Sequence, residues 1–245
     1  MEQKFNIAVL IDGDNAQPSL IKEIIEEVSK YGKATIRRIY GDWTSQQMNG
    51  WKAVINQHSI SPIQKFSYTT GKNSTDGSLI IDAMDILHAK QTEGFCIVSS
   101  DSDYTGLAKR IREEGMYVMG IGEKKTPAAF VKSCEVFTFT ENLKEDDSEE
   151  VITSAKNKTP KTKATAIRLS KEDLKTIDKA FEISTNEEDK AHISKVGLNI
   201  RKIDPSFDPR SYGVRSLTKL FDNLTKFKVV SNTVNGQNHP MLQRK

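Results

Sequence analysis

The chain has 245 residues, and because a single domain usually takes ~100–200, two domains are expected. With 36% hydrophobic and 28% charged residues it can bury a core in water, and no stretch approaches the roughly 18 consecutive apolar residues of a membrane helix, so no membrane partner is expected. The formal net charge of +3 is too small to imply a polyanionic partner by itself, and the two cysteines exclude a disulfide scaffold or a cysteine-rich zinc module.

At the amino terminus, MEQKFNIAVLIDGDN places carboxylates straight after a short apolar run and lacks the cleavage pattern of a signal peptide, so a cytoplasmic protein is expected. Apolar strand-like runs recur at residues 6–11, 35–40, 63–68, 95–99, 117–121 and 136–139. Helical spacing falls between most of them. Leu20, Ile21, Ile24, Ile25 and Val28 predict a helix over 19–31, further patterns cover 46–57 and 78–89, and Leu107, Ala108 and Ile111 predict one over 104–114 before Gly115. Cys96 and Cys134 lie in strand-like apolar contexts and read as core. Alternating strands and helices predict an α/β fold, a mostly parallel sheet with helices on both faces. In such sheets ligands bind beyond the carboxyl ends of the strands, which makes the polar residues there the functional candidates.

Two of these strands end in paired acids. The first runs into Asp12-Gly13-Asp14-Asn15 and the fourth into Ser99-Ser100-Asp101-Ser102-Asp103-Tyr104. Carboxylates gathered at one sheet edge repel one another, an arrangement best tolerated when a hard divalent cation neutralises them. Oxygen ligands suit Mg2+ or Mn2+, and zinc is disfavoured because no His/Cys cluster accompanies them. Singly, each acid has a plainer role: Asp12 or Asp101 can start a turn, and Asp103 can cap the helix that follows. The repetition at two strand ends favours a metal site. A third contribution comes from residues 69–82, TTGKNSTDGSLIID, where Asp76 lies near the start of a helix and can point over the sheet edge. Asp82, six positions later, is turned by about 600° and faces another direction; it is retained as an additional candidate ligand or a structural acid.

LIDGDN after the first strand, KNSTDGSLIID from Lys72 to Asp82, and IVSSDSDYTGL together resemble the NYN domain of the PIN-like nuclease superfamily, in its LabA-like branch, across residues 5–140. The resemblance implies a Rossmann-like domain whose acidic, divalent-metal-dependent site hydrolyses RNA phosphodiesters. On the matching positions it implies catalytic and metal-binding roles for Asp12, Asp76, Asp101 and Asp103, with Asp82 a further metal candidate and Asn15 at a polar, substrate-binding position. One or two Mg2+ or Mn2+ ions held there can activate water and stabilise charge on the scissile phosphate, with no side-chain nucleophile. The family's third motif often carries Gly where this chain has Ser100 and Ser102.

Lys72 is a candidate contact to substrate phosphate. Arg37 and Arg38 are neighbours on a strand, so at most one faces the cleft, and both are read as surface residues. Trp43 and Trp51 can stack on a base but are read as packing residues. His58 and His88 are read as structural, because no metal partner stands at a recognisable spacing. Asp12-Gly13-Asp14 also has a superficial likeness to the haloacid-dehalogenase phosphatases, but Asn15-Ala16 follows instead of their usual Gly then Thr or Val, and no cap insertion is evident.

Residues 144–167, KEDDSEEVITSAKNKTPKTKATAI, pass from an acidic run to a Lys/Thr-rich run without an aromatic. Such a segment cannot offset its ordering entropy by burial and is expected to be a flexible linker between domains at 1–143 and 168–245. Charge divides near the same place. Residues 1–150 hold 17 Lys+Arg against 23 Asp+Glu, net −6, and residues 151–245 hold 19 against 10, net +9. A basic second part can hold a polyanion by neutralising phosphates.

Beyond the linker, Ser170 is a natural N-cap for an amphipathic helix with Leu174, Ile177 and Phe181 on one face. Helical patterns follow at 191–201 and 214–224. Residues 227–234 alternate like a strand, turned by Asn235-Gly236 and followed by 239–242. Helices followed by a hairpin describe a small winged helix-turn-helix domain. IDPSFDPRSYGVRSLTKLFDNL, residues 203–224, resembles the LOTUS or OST-HTH domain, a match over residues 168–243 that implies an RNA-binding or protein-docking module. Arg210, Arg215, Lys219, Lys226 and Lys228 are the candidate nucleic-acid contacts. Tyr212 is read as core, and the recognition helix is expected to begin near Tyr212-Gly213. The combined expectation is a metal-dependent endoribonuclease whose winged helix recruits RNA. A non-catalytic RNA-binding or regulatory adaptor is the competing class, and protein docking and homodimerisation stay open.

Overall fold

The first apolar run becomes strand β1 (Asn6–Asp12), in which every residue from Ile7 to Asp12 is buried. The computed structural model describes residues 5–66, 74–143, 169–185, 189–234 and 237–245, and the chain divides into two compact units, Met1–Lys144 and Glu145–Lys245. After β1 come α1 (Ile21–Ser29), β2 (Lys33–Gly41), α2 (Trp51–Gln57), β3 (Ser61–Gln64), α3 (Ser74–Ala89), β4 (Gly94–Val98), α4 (Thr105–Glu113), β5 (Tyr117–Gly122), α5 (Ala128–Ser133) and β6 (Val136–Phe139). The strands form one sheet in the order β3-β2-β1-β4-β5-β6, with every pair parallel. Strand order therefore reverses between β1 and β4, and the crevice beyond their carboxyl ends is where doubly wound sheets bind ligands.

Two-residue periodicity decides what that crevice receives. Ile7, Val9 and Ile11 pack on one face with α1 and α2, whereas Ala8 and Leu10 pack on the other with α3, α4 and α5. Asp12 continues the second set, so its carboxylate is delivered to the α3 and α4 side at the end of the strand. Tyr40, its partner across β2, belongs to the same face. Cys96 and Cys134 are both buried, as their contexts indicated.

Two elements differ from expectation. The third strand is Ser61–Gln64, where 63–68 was expected and 67–68 lie outside the described residues; among the described residues it pairs only with β2, as an edge strand that tolerates Pro62, and Phe66 beyond it is 55% exposed. Helix α5 is only six residues long, too short for its periodicity to show, and is held by the buried Phe130 and Val131 behind Pro127.

In the second unit, α6 (Lys171–Ser184) opens with a reciprocal cap. Ser170 Oγ accepts from the Asp173 amide at 3.0 Å and Asp173 Oδ2 accepts from the Ser170 amide at 2.9 Å. Then follow β7 (Lys190–His192), α7 (Ile193–Ile203), α8 (Leu217–Asp222), β8 (Phe227–Val230), β9 (Thr233–Val234), β10 (Gln237–Asn238) and β11 (Met241–Arg244). β11 lies between β7 and β8 in an antiparallel sheet, and β9 pairs with β10. Helices closed by a small antiparallel sheet make this the winged helix that the alternation indicated. Ala191 and His192 leave the expected helix to pair with Leu242 and Met241. The helix expected from 214 starts instead at Leu217, where Ser216 Oγ caps the Lys219 amide; Gly213, at φ +75°, ends the 3-10 turn Pro209–Tyr212 before it. Leu174 shares a face with Phe181 but lies in the first turn of α6 and is 38% exposed, while Ile177 and Phe181 fill the core. Asn235-Gly236 and the linker 144–167 lie outside the described residues. Among the described residues, no helix is long and apolar enough to cross a membrane.

Candidate metal centre and nucleic-acid interface

The turn after β1 is held from behind. Trp51, 1% exposed, donates its indole N–H to the Gly13 carbonyl at 3.1 Å, and the Gly13 amide donates to the Tyr40 carbonyl at 2.9 Å. A Cβ on Gly13 would stand 2.7 Å from that Tyr40 oxygen, so only glycine allows the approach. The fixed turn aims Asp12 into the crevice, fully buried, where Oδ1 accepts from the Asp14 amide at 3.1 Å. Oδ2 accepts from Asn15 Nδ2 at 2.7 Å and Ser99 Oγ at 2.9 Å. Burial raises the Asp12 pKa, and these three donors oppose the rise. Asn15, expected to bind substrate, thus turns its amide onto Asp12.

Ser99 joins the first motif to the third. The Asp101 amide donates to Ser99 Oγ at 3.1 Å, and Ser99 in turn donates to Asp12. Asp101 Oδ1 accepts from the Asp103 amide at 3.0 Å, capping the 3-10 turn Ser102–Tyr104 that leads into α4. That turn faces Tyr104 inward, and its hydroxyl donates to Asp76 Oδ1 at 2.7 Å across from the first turn of α3. Desolvation is the main cause of a raised Asp76 pKa; the Tyr104 bond lowers it, and the charges of Asp12, Asp101 and Asp103 raise it further.

Asp76, Asp101 and Asp103 each offer a carboxylate oxygen, all within 4.8 Å of one another. Three carboxylate oxygens are the donors that a hard divalent cation such as Mg2+ prefers, so this set suits such an ion in its chemistry. Asp12 stands outside this trio, its oxygens already engaged by Asn15, Ser99 and Asp14. Asp82 does not join it either. Its carboxylate is taken by Arg38 Nη1 and the Tyr40 hydroxyl, both on β2. Arg38, read from the sequence as a surface residue, is therefore tied down, with its pKa raised chiefly by the bond to Asp82. Arg37 donates to the carbonyls of Ala34 and His58. Trp43 donates to the Ile63 carbonyl at 3.1 Å, so both tryptophans pack. Lys72 lies outside the described residues. Ser99 and Tyr104 went unread as functional residues, although each stands within three positions of Asp101.

The family model of the NYN domain matches residues 6–143, which is more than half of the chain. The chain belongs to the NYN domain family. The match decides against the phosphatase reading of Asp12-Gly13-Asp14, and the family lies within the PIN-like nuclease superfamily. An OST-HTH/LOTUS domain model matches residues 159–239. Among solved structures, the chain is similar to a protein of unknown function from Vibrio parahaemolyticus, with 16% identity, coverage of 56% of this chain and 93% of that one, and a TM-score of 0.47. It is also similar to an uncharacterized protein from Nitrosomonas europaea, with 25% identity, coverage of 38% and 90%, and a TM-score of 0.30. A search of curated proteins finds no match.

On the LOTUS unit the five candidate cations separate into two kinds. Arg210 is clamped by Asp208 through Nε and Nη2 at 2.6–3.0 Å, and Lys226 donates to Asp178 at 2.5 Å. Arg215, Lys219 and Lys228 are exposed, and among the described residues no ion pair engages them. Tyr212, expected in the core, is partly buried and packs against its edge, its ring tilted at 41° to that of Phe207 with centroids 5.5 Å apart. Much of the positive charge lies ahead of the described LOTUS residues: residues 151–168 hold five Lys+Arg and no acid, leaving residues 169–245 with 14 against 10, net +4.

Proposed function

We propose that the NYN unit is a divalent-metal-dependent endoribonuclease that hydrolyses RNA phosphodiesters, and that the LOTUS unit recruits the RNA. The observation that carries this reading is the trio Asp76, Asp101 and Asp103, brought together from two separate motifs at the reversal point of a parallel sheet. Mg2+ or Mn2+ bound by these carboxylates would supply a water of lowered pKa and a counter-charge for the phosphate. Asp76 and Asp103 present oxygens to the crevice, Asp101 does so while capping its own turn, and Asp12 anchors the floor through Ser99 and Asn15. A site of this sign repels RNA unless cations elsewhere hold the strand, and the exposed Arg215, Lys219 and Lys228 meet that need.

The test is incubation of the purified chain with circular single-stranded and structured RNA in Mn2+ or Mg2+, against EDTA. Linearisation that requires the metal supports the reading. Binding without cleavage across substrates and metals would leave the non-catalytic adaptor, and cleavage unchanged in EDTA would sink the metal dependence.

A further inference from the structure

Tyr104 brings a buried aromatic side chain to the acidic crevice. Its ring is fully buried and packs against Phe130 at 6.4 Å between centroids, in a cluster shared with Phe137. A phenylalanine would fill that apolar space equally well, and a buried hydroxyl is costly unless bonded. Here the hydroxyl donates to Asp76 Oδ1 at 2.7 Å, and the Asp12 carboxylate bears on the same hydroxyl. One rigid side chain, rooted in the 3-10 turn that also carries Asp103, therefore reaches the acid of α3 and the acid of β1. Asp76 has one oxygen tied by this bond, and the carboxylate that the bond orients is one of the three that gather at the crevice.

We propose that Tyr104 is a positioning residue of the metal centre, its hydroxyl holding the Asp76 carboxylate in register with Asp101 and Asp103. The proposal rests on the metal-site reading above but does not require that the site cut RNA. Without the hydroxyl, Asp76 would face Asp12, Asp101 and Asp103 with nothing to oppose their repulsion, and its carboxylate would swing out of the trio. The hydroxyl's role is geometric: it touches a ligand, not the reacting phosphate.

Tyr104→Phe in the full chain removes one oxygen and keeps the ring. Mn2+ binding is read by electron paramagnetic resonance, and thermal unfolding of the metal-free protein is measured beside it. The expected result is Mn2+ affinity lower by about 10-fold, at the low end of the 10–100-fold range for groups that orient ligands, with the spectrum of bound Mn2+ altered and the metal-free unfolding midpoint kept. The metal concentration giving half-maximal RNA cleavage should rise by the same factor. Equal Mn2+ affinity in the two proteins overturns the proposal, as does failure of the wild-type chain to bind Mn2+. A wild-type chain that binds Mn2+ without cutting RNA sinks the nuclease reading alone, because the comparison of affinities still stands.

Discussion

The two units handle charge in opposite ways. In the NYN unit, acids are drawn inward: Asp12 is fully buried, and Asp76 is half-buried under a tyrosine hydroxyl. In the LOTUS unit, cations lie outward, and those that come near acids are neutralised by them, as Arg210 is by Asp208 and Lys226 by Asp178. A concave acidic site must be fixed by a scaffold, because like charges will not stay together unaided, whereas a basic surface needs only exposure. Substitutions should accordingly act on geometry in the first unit and on salt dependence in the second.

The largest expected effect is that of Asp101→Asn. An amide keeps the size and the cap of the 3-10 turn but removes a metal-binding charge, so turnover should fall by about 100-fold or more, beyond the ~10–100-fold that orienting groups alone command. Thermal unfolding should stay within ~1 kcal/mol of wild type, since an Asn caps as well as an Asp. Single-turnover cleavage and calorimetry check both halves, and a fully active variant would remove the third motif from the site.

Asp82→Ala sharpens the same contrast from within the NYN unit. It strips Arg38 and the Tyr40 hydroxyl of their shared acceptor, so stability should fall by about 1–3 kcal/mol in chemical denaturation, while Mn2+ affinity is unchanged. A lost metal affinity with intact stability would return Asp82 to the metal site.

In the LOTUS unit, Arg215→Ala or Lys219→Ala in the full chain should reduce the salt slope of RNA binding by about 1 each, as loss of a phosphate contact does. Arg210→Ala should change that slope less and stability more, because its guanidinium already serves Asp208. Filter binding from low to high salt reads the slopes, and equal effects from all three would erase the division into exposed and engaged cations. Five of the cations behind the +9 fall in residues 151–168, so deleting that segment should cost more affinity than any single substitution.

The smallest effect expected is on pH. Burial raises the pKa of both Asp12 and Asp76 above the ordinary carboxylate value, so between the unfolded and the folded value the metal-free native state binds more protons than the unfolded chain. For an acid shifted upward, stability falls as pH rises from the unfolded value through the folded one. The metal-free unfolding midpoint should therefore rise as pH is lowered from neutral toward the raised values, by about 1–3 °C, and by less in Asp12→Asn. A midpoint indifferent to mild acid in both proteins would show that burial of these acids is offset elsewhere.

Much of this architecture was legible in the chain. Continuous apolar runs at 6–11 and 95–99 identified the central strands, because a strand covered on both faces is apolar along its length and turns polar only where it leaves the sheet. Acids placed directly after those strands were legible as crevice residues for the same reason. The short edge strand β3 and the six-residue α5 were less so, since neither is long enough for a period to stand out.

Sequence by itself determined the parallel α/β unit, the winged helix after it, and the acids that close the first and third motifs, since apolar runs, caps and turn residues are local properties. Which acids meet was decided only by tertiary structure. Helical rotation turned Asp82 away from Asp76, but only the packing of α3 over β2 supplied Arg38 and Tyr40 to claim it. Likewise, nothing near Tyr104 in the chain names Asp76 as its acceptor, 28 residues upstream. The physical reason is that a hydrogen-bonding or metal-binding partner is a fact of distance in space, and the folding of β1, α3 and the turn after β4 onto one edge is what brings these groups within reach.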